Sequence, residues 1–413
     1  MTADEREIDV TSVAAGGDGV GRSEGLVVFT PRTAPGDRAV VAVTAKGRFA
    51  RGELRALVAP SPARVEPPCP HYTRDRCGGC QLQHLAYEGQ LEAKRGIVHD
   101  SIARIAKRTV PEISVRPSER EWRYREKLTL ALRRRPTGEW YGGLHPYDAP
   151  GRVFPLDDCP ITSERVVAAW REILAASGLF PEARELRGAV RALDEGVSFV
   201  LEGGRSWPRA RAFHDAVPTV AVLWWGAEER RPRLVATRGE RRAPGASFAQ
   251  VNPVVAAALR ARVVDRVMSY GPDTVVDAYA GVGDTATLVA ERGARVTAIE
   301  LDREASAWSA SRLPPGSRAV AGRVEDTIGA ALPADVVIVN PPRAGVDERV
   351  TAALAGTRPR PRALVYVSCN PATLARDIAR LPGFRIRALE AFDMFPQTAH
   401  VETLCELVPE AAA

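Results

Sequence analysis

Cys369 lies in the run Val367-Ser368-Cys369-Asn370-Pro371, directly after the apolar stretch Ala363-Leu364-Val365-Tyr366-Val367. A thiol at the carboxyl end of a predicted inner strand, on a turn that opens a helix near Ala372, stands where open α/β sheets bind their ligands. The helix N-terminus is expected to favour the thiolate, which is the nucleophilic form. A lone cysteine is more often a small core hydrophobe, and Cys405 in Leu404-Cys405-Glu406-Leu407 reads that way. Three companions set Cys369 apart: a Gly-rich turn at Asp277-Ala278-Tyr279-Ala280-Gly281-Val282-Gly283-Asp284, a polar turn at Asn340-Pro341-Pro342-Arg343, and an acid at Glu402. Taken by itself, Val401-Glu402-Thr403-Leu404 reads as a solvent-facing acid on an edge strand.

The Gly-rich turn follows one predicted strand and opens a helix, so its glycines let a ligand approach the backbone. Glu300 ends the next strand, where a carboxylate can accept two ribose hydroxyls. The third glycine of a dinucleotide fingerprint is absent, with Thr287 or its neighbours in its place, and no pyrophosphate needs cradling. The layout resembles the S-adenosylmethionine site of class I methyltransferases. A second constellation gathers Cys69, Cys77 and Cys80, with Cys159 far downstream. Four thiolates can hold a tetrahedral zinc or an iron–sulfur cluster, and spacing does not separate the two. Gly78 and Gly79 permit a tight turn around a bulky cluster.

These residues need elements to position them. From 247 onward strand and helix alternate, with strands expected at 274–277, 295–299, 335–339 and 363–367 and helices near 285–292, 303–311, 348–355 and 371–381. That pattern reads as a doubly wound, mostly parallel sheet. Residues 5–58 instead alternate short β-like runs with Gly and Pro turns, as a small β-barrel does, and this segment resembles the TRAM domain, an OB-like RNA-binding module. Between them, strand-like runs at 127–132, 197–201 and 219–225 and a helix at 163–176 suggest an α+β region. The fold expected is multidomain α/β: a barrel over 1–60, a central α+β domain carrying the Cys cluster over 61–245, and a Rossmann-like domain over 246–413.

The chain has 413 residues, 45% of them apolar and 26% charged, as a globular protein does. Its longest uncharged apolar run, 216–227, is too short for a bilayer, and MTADEREIDV lacks an apolar signal core; a cytoplasmic protein without a membrane partner is expected. Net charge is +6, and only four of the 57 basic residues are lysines. Arginine grips phosphates and stacks on bases, while a GC-rich coding bias explains the Arg-to-Lys ratio by itself; the net charge points to nucleic acid. Arg-rich patches usually form solvated faces, although Trp122-Arg123-Tyr124-Arg125 also suits base stacking and phosphate binding. The others are Arg133-Arg134-Arg135 and Arg230-Arg231-Pro232-Arg233.

Several motifs in order make the resemblance specific: Cys77-Gly78-Gly79-Cys80-Gln81-Leu82-Gln83-His84, Ser247-Phe248-Ala249-Gln250-Val251-Asn252, the Gly-rich turn, Asn340-Pro341-Pro342-Arg343-Ala344-Gly345, Ser368-Cys369-Asn370-Pro371, and Asp393-Met394-Phe395-Pro396-Gln397-Thr398-Ala399-His400-Val401-Glu402. Together they resemble the RNA (uracil-5-)-methyltransferase family over nearly the whole chain. The barrel and Cys cluster are similar to the branch acting mostly on 23S ribosomal RNA, in which the cysteines hold a [4Fe-4S] cluster. The resemblance implies that Cys69, Cys77, Cys80 and Cys159 ligate the cluster, that Gln250, Tyr279, Glu300 and Asn340 bind or border S-adenosylmethionine, that Cys369 is the nucleophile and Glu402 the base. It also implies a monomer with RNA as its partner, tRNA being the nearest alternative to ribosomal RNA. A non-catalytic RNA-binding or redox-sensing relative is the reading from another class. Two departures stand out: a longer gap between Cys69 and Cys77 than is commonest, and Asn340 where the family usually has Asp. An amide oxygen still accepts a hydrogen bond from uracil N3–H, but it carries no charge and the group can flip to donate.

Overall fold

The computed structural model describes residues 4–239 and 250–410. Five strands, β1 (Asp4–Val13), β2 (Gly19–Ser23), β3 (Leu26–Thr30), β4 (Arg38–Lys46) and β5 (Phe49–Ala59), close into a barrel in the order β1-β2-β3-β5-β4. Closure leaves no free edge to pair with another chain. Alternate residues Ile8, Val10, Val28, Ala39, Val41 and Ala50 fill its interior. The buried Asp37 carboxylate accepts hydrogen bonds from Ala34 N (2.6 Å), Ser61 N (2.8 Å) and Arg64 (2.7 and 2.8 Å), which ties the barrel to the chain that leaves it.

After the barrel come a short helix α1 (Pro70–Thr73), a long helix α2 (Tyr87–Ser101) continued by a π-helical turn, and strand β6 (Ile113–Arg116). The chain then builds a seven-stranded sheet from β7 (Lys127–Arg134), β8 (Trp140–Leu144), β9 (Phe154–Pro155), β10 (Glu185–Ala192), β11 (Val197–Glu202), β12 (Val220–Gly226) and β13 (Arg233–Thr237), ordered β13-β12-β11-β10-β7-β8-β9. Helices α3 (Glu164–Ala175) and α4 (Ala210–Ala216) cover one face. There Leu128, Leu130, Leu132, Val190 and Phe199 pack with Trp170 and Phe213.

The last part is a second, eight-stranded sheet. Its strands are β14 (Thr274–Ala278), β15 (Arg295–Glu300), β16 (Arg318–Ala321), β17 (Val336–Val339), β18 (Ala363–Ser368), β19 (Phe384–Phe392) and β20 (Glu402–Pro409), and β6 joins them in the order β16-β15-β14-β17-β18-β20-β19-β6. The pairs among β14 to β18 are parallel, and β20 is antiparallel to both neighbours. Helices α5 (Pro253–Met268), α6 (Asp284–Glu291), α7 (Arg303–Arg312), α8 (Val324–Ala331), α9 (Glu348–Gly356) and α10 (Pro371–Ala379) alternate with them. Strands buried on both faces, such as Val336–Val339 and Ala363–Ser368, read as continuous apolar runs for that reason. No helix among the described residues is long and apolar enough to cross a membrane.

The chain divides into two compact units that do not follow consecutive stretches. One comprises Met1–Val65, His84–Glu119 and Val254–Ala413, the other Glu66–Gln83 and Arg120–Pro253. Residues 84–119, assigned to a central domain from sequence, thus supply α2 and β6 to the unit that holds the eight-stranded sheet. The cause is a pairing that no local pattern announces, β6 running parallel to β19 with Leu389 opposite Ile113. Strand β16 and helix α8 are not evident from the sequence: the strand's apolar run is only Ala319-Val320-Ala321, and its residues are at most half-buried at the sheet edge.

Candidate active site

The Gly-rich turn joins β14 to α6 with three residues in left-handed conformations: Tyr279 (φ 64°), Gly281 (φ 57°) and Gly283 (φ 81°). At Gly283 a Cβ would stand 2.1 Å from Ser309 Oγ, so the close approach of α7 requires glycine there. Glu300, half-buried at the end of β15, fixes the turn by accepting Gly281 N on one oxygen (2.8 Å) and Asp302 N on the other (2.8 Å). A carboxylate has about four acceptor sites, so capacity for two hydroxyl donors remains. Behind it Asp277 is 2% exposed, with one oxygen unpartnered. Burial pushes its acid up to about 7, opposed by a hydrogen bond from the Ala286 amide and reinforced by the charge of Glu300.

Tyr279, Glu300, Asn340 and Cys369 each follow or end one of four neighbouring parallel strands, β14, β15, β17 and β18, at their carboxyl ends. Adjacent strands lie about 4.8 Å apart, so one row of loops carries all four residues. Asn340 is exposed, and its backbone N–H donates to Ala278 O (3.2 Å). The turn after it is pinned by Asp377 of α10, whose carboxylate accepts Val346 N (2.9 Å) and the Tyr366 hydroxyl (2.8 Å). Half-buried Tyr279 has its phenol pushed up to about 12 by burial and by the charges of Glu325, Asp347 and Asp377.

Cys369 is half-buried, and its surroundings oppose the thiolate that the helix N-terminus was expected to favour. The Asn370 side chain caps α10 by accepting from Ala372 N (3.1 Å) and Thr373 N (3.5 Å), so these first-turn amides are already used. Burial, and after it the charge of Glu402, push the Cys369 thiol above its ordinary range. Arg343 acts in the opposite direction through its charge and a hydrogen bond. That arginine was visible in the Asn-Pro-Pro-Arg turn, but its sequence distance from Cys369 concealed any role.

Glu402 is not the solvent-facing acid that its local pattern suggests. It is 3% exposed and opens β20, which runs between β18 and β19 rather than at an edge. Thr403 pairs with Ser368 in that register, so Glu402 comes beside the thiol from a strand that begins 33 residues later. The loop before it is held from beneath by α2. Buried Lys94 forms an ion pair with Asp393 and donates to Phe395 O (3.0 Å), while Gln90 exchanges hydrogen bonds with Gln397 (3.0 Å side chain, 2.8 Å backbone). Cys405 is fully buried, as expected of a core residue.

In the other unit, Cys69, Cys77, Cys80 and Cys159 are all buried, at 6%, 8%, 8% and 9% exposure. Burial raises the Cys80 thiol first, and Cys159, Cys77 and Cys69 add to the rise in that order, so the four gather in one place. Gly79 N donates to Cys77 Sγ at 3.4 Å. Such a donor set suits a thiolate-held group, although among the described residues no three His, Cys, Asp or Glu stand in a metal-holding arrangement. The loop bearing Cys159 is fixed by Arg123, which grips Asp158 with two hydrogen bonds (2.8 and 2.7 Å) and donates to Cys159 O (3.1 Å). This corrects the reading of Trp122 to Arg125 as a base-stacking patch. Arg123 is committed to Asp158, Tyr124 is 4% exposed, and Trp122 packs on the hydrophobic core. Gln250 is half-buried in this same unit, and the Ser247 to Ala249 part of its motif lies outside the described residues.

Comparison with known proteins matches residues 1–54 to the TRAM domain and 319–408 to the tRNA (Uracil-5-)-methyltransferase family. An uncharacterized RNA methyltransferase of Listeria monocytogenes is 32% identical, with 96% of this chain and 95% of the relative aligned. One from Halalkalibacterium halodurans is 30% identical over 97% and 96%. The fold is also that of the Pyrococcus abyssi tRNA (uracil-54, C5)-methyltransferase solved with S-adenosyl-L-homocysteine, at a TM-score of 0.71 and 24% identity, covering 98% of this chain and 100% of that one. The chain therefore belongs to the RNA methyltransferase family of these relatives, with a TRAM domain at its amino end and the tRNA (uracil-5-)-methyltransferase domain at its carboxyl end.

Proposed function

We propose that this protein methylates carbon 5 of a uridine in RNA, through a covalent adduct of Cys369 that Glu402 resolves. The observation that carries the reading is the meeting of a nucleophile and a buried acid, from β18 and β20, in the row of loops that holds the Gly-rich turn and Glu300. Carbon 5 of uracil is too poor a nucleophile to react directly. Addition of the Cys369 sulfur to carbon 6 forms a C–S bond and opens the 5,6 double bond, leaving an enolate with electron density at carbon 5. S-adenosylmethionine, when bound, supplies the methyl group to that carbon. The Glu402 carboxylate then takes the carbon 5 proton, the double bond re-forms, and the sulfur leaves as thiolate. Tyr279, Glu300 and Asn340, together with Gln250, are the residues proposed to hold or border the methyl donor. Asn340 would also accept uracil N3–H through its amide oxygen.

A stacked base cannot enter such a site, so the target must lie in a loop or be flipped out. The TRAM barrel together with four buried cysteines favours 23S ribosomal RNA as the substrate and a [4Fe-4S] cluster as the group they ligate. The structural neighbour named for uracil-54 favours tRNA as the second reading. Mass mapping of 5-methyluridine in ribosomal and transfer RNA, from cells with and without the gene, separates the two. Loss of one ribosomal 5-methyluridine is the expected result; a loss in tRNA alone selects the second reading, and no loss in either defeats the proposal.

A further inference from the structure

One face of the seven-stranded sheet sets cations side by side. Along β7 the even positions Leu128, Leu130 and Leu132 are buried, and the odd positions Lys127, Thr129, Ala131 and Arg133 form the opposite, half-buried face. In β10 the same face presents Arg187, Ala189 and Arg191. The antiparallel register sets Lys127 directly across from Arg191, and like charges in that relation are destabilising. Arg125, two residues before, donates from its Nε to the Lys127 carbonyl (2.8 Å) and adds a third cation. Arg187 forms an ion pair with Glu202 and Arg133 with Glu185. The Lys127 ammonium has neither a hydrogen bond nor an ion pair among the described residues. Burial, then Arg191, Arg125 and Arg187, push it down, and Glu202 opposes them.

We propose that this face, centred on Lys127, Arg191 and Arg125, binds phosphates of the RNA that flanks the target base. The inference rests on the reading of RNA as substrate. The half-buried residues between the cations, Thr129, Ala131 and Ala189, are small and offer none of the apolar anchors that a protein partner requires at its centre. Tyr141 stands opposite Arg133 in the register and offers a half-buried ring at the rim, as surfaces for single strands commonly do. A phosphate placed against Lys127 offsets the opposition that Arg191 and Arg125 exert on its ammonium.

The test uses the full chain in two variants, Lys127→Met, which keeps the apolar stem, and Lys127→Glu. Affinity for a substrate RNA fragment is measured over a range of salt concentrations, with thermal midpoint and S-adenosylmethionine affinity as controls. Lys127→Met is expected to weaken RNA binding about 3- to 10-fold and to lower the log–log salt slope by about 0.7, one phosphate contact on a single strand. Lys127→Glu should weaken it further, and neither variant should melt earlier or lose affinity for the methyl donor. If wild type binds RNA and both variants match it in affinity and slope, the face is not a phosphate site. A wild type that binds no RNA overturns the substrate reading and this inference together. Unchanged RNA binding with loss of a poly-L-glutamate probe would assign the face to an acidic protein instead.

Discussion

In the proposed mechanism Cys369 must ionise before it adds to carbon 6, and burial with the Glu402 charge resists that ionisation. Raising the pH increases the thiolate fraction, so the rate at limiting RNA should climb about tenfold per pH unit from about pH 7 to about pH 9. Arg343→Met, which removes the opposing charge, should move that limb to higher pH; an unmoved limb would mean that Arg343 does not act on the thiol. Cys369→Ala should lower methyl transfer by at least about 10³-fold while RNA binding persists. Glu402→Gln keeps the shape but cannot take the proton, so denaturing gels should show methylated RNA covalently attached to that variant. Normal turnover, or failure to attach at all, removes Glu402 from the role of base. Asp277 offers a separate pH test, in stability. Its folded-state value, about 7, exceeds the ordinary 3.8, so its contribution favours folding fully below about pH 4 and is lost as pH rises through 7. The difference is at most about 4 kcal/mol, and Asp277→Asn should flatten this part of the unfolding profile.

Among the elements, α2 bears on the site without lining it. Its Lys94 and Gln90 hold the loop 393–398 that leads into β20, and both Lys94 and Asp393 are fully buried. Removing one partner strands the other charge, which costs about 3 to 5 kcal/mol. Lys94→Met should therefore lower the denaturant midpoint markedly and, where folded protein is recovered, depress turnover more than affinity for the methyl donor. A variant as stable as wild type would show that the pair contributes nothing net. The Gly-rich turn makes a second demand on its elements. Gly283→Ala imposes a side chain on a left-handed residue and drives it into Ser309, so affinity for S-adenosylmethionine should fall more than affinity for RNA.

At the level of the whole molecule, the unit formed by Glu66–Gln83 and Arg120–Pro253 joins the 69–80 segment to Cys159 and the sheet beyond it. If the four thiols share a cluster, that group cross-links the two segments and its binding energy is folding energy. Protein purified without air should be brown and carry about four iron atoms per chain. Extracting the iron should lower the melting temperature of this unit. Zinc in place of iron, or a colourless and equally stable apoprotein, would defeat the cluster assignment.

What the sequence determined by itself is local in kind. The positions of β14, β15, β17 and β18 followed from short apolar runs bounded by turns, because strands buried on both faces carry that signature. The turns bearing Tyr279, Asn340 and Cys369 followed from glycine and proline chemistry, which acts over a few residues. The closed barrel was likewise legible in its Gly and Pro punctuation. Tertiary structure alone decided what those residues face. Glu402 became a buried neighbour of Cys369 only because β20 inserts between β18 and β19. Residues 84–119 joined the eight-stranded sheet through the pairing of β6 with β19 across more than 250 residues of chain. Arg123 and Arg125 look alike in sequence, yet Asp158 neutralises the first and the second stands with Lys127. Periodicity records whether a residue is buried, but the partner that sets its charge arrives from elsewhere in the chain.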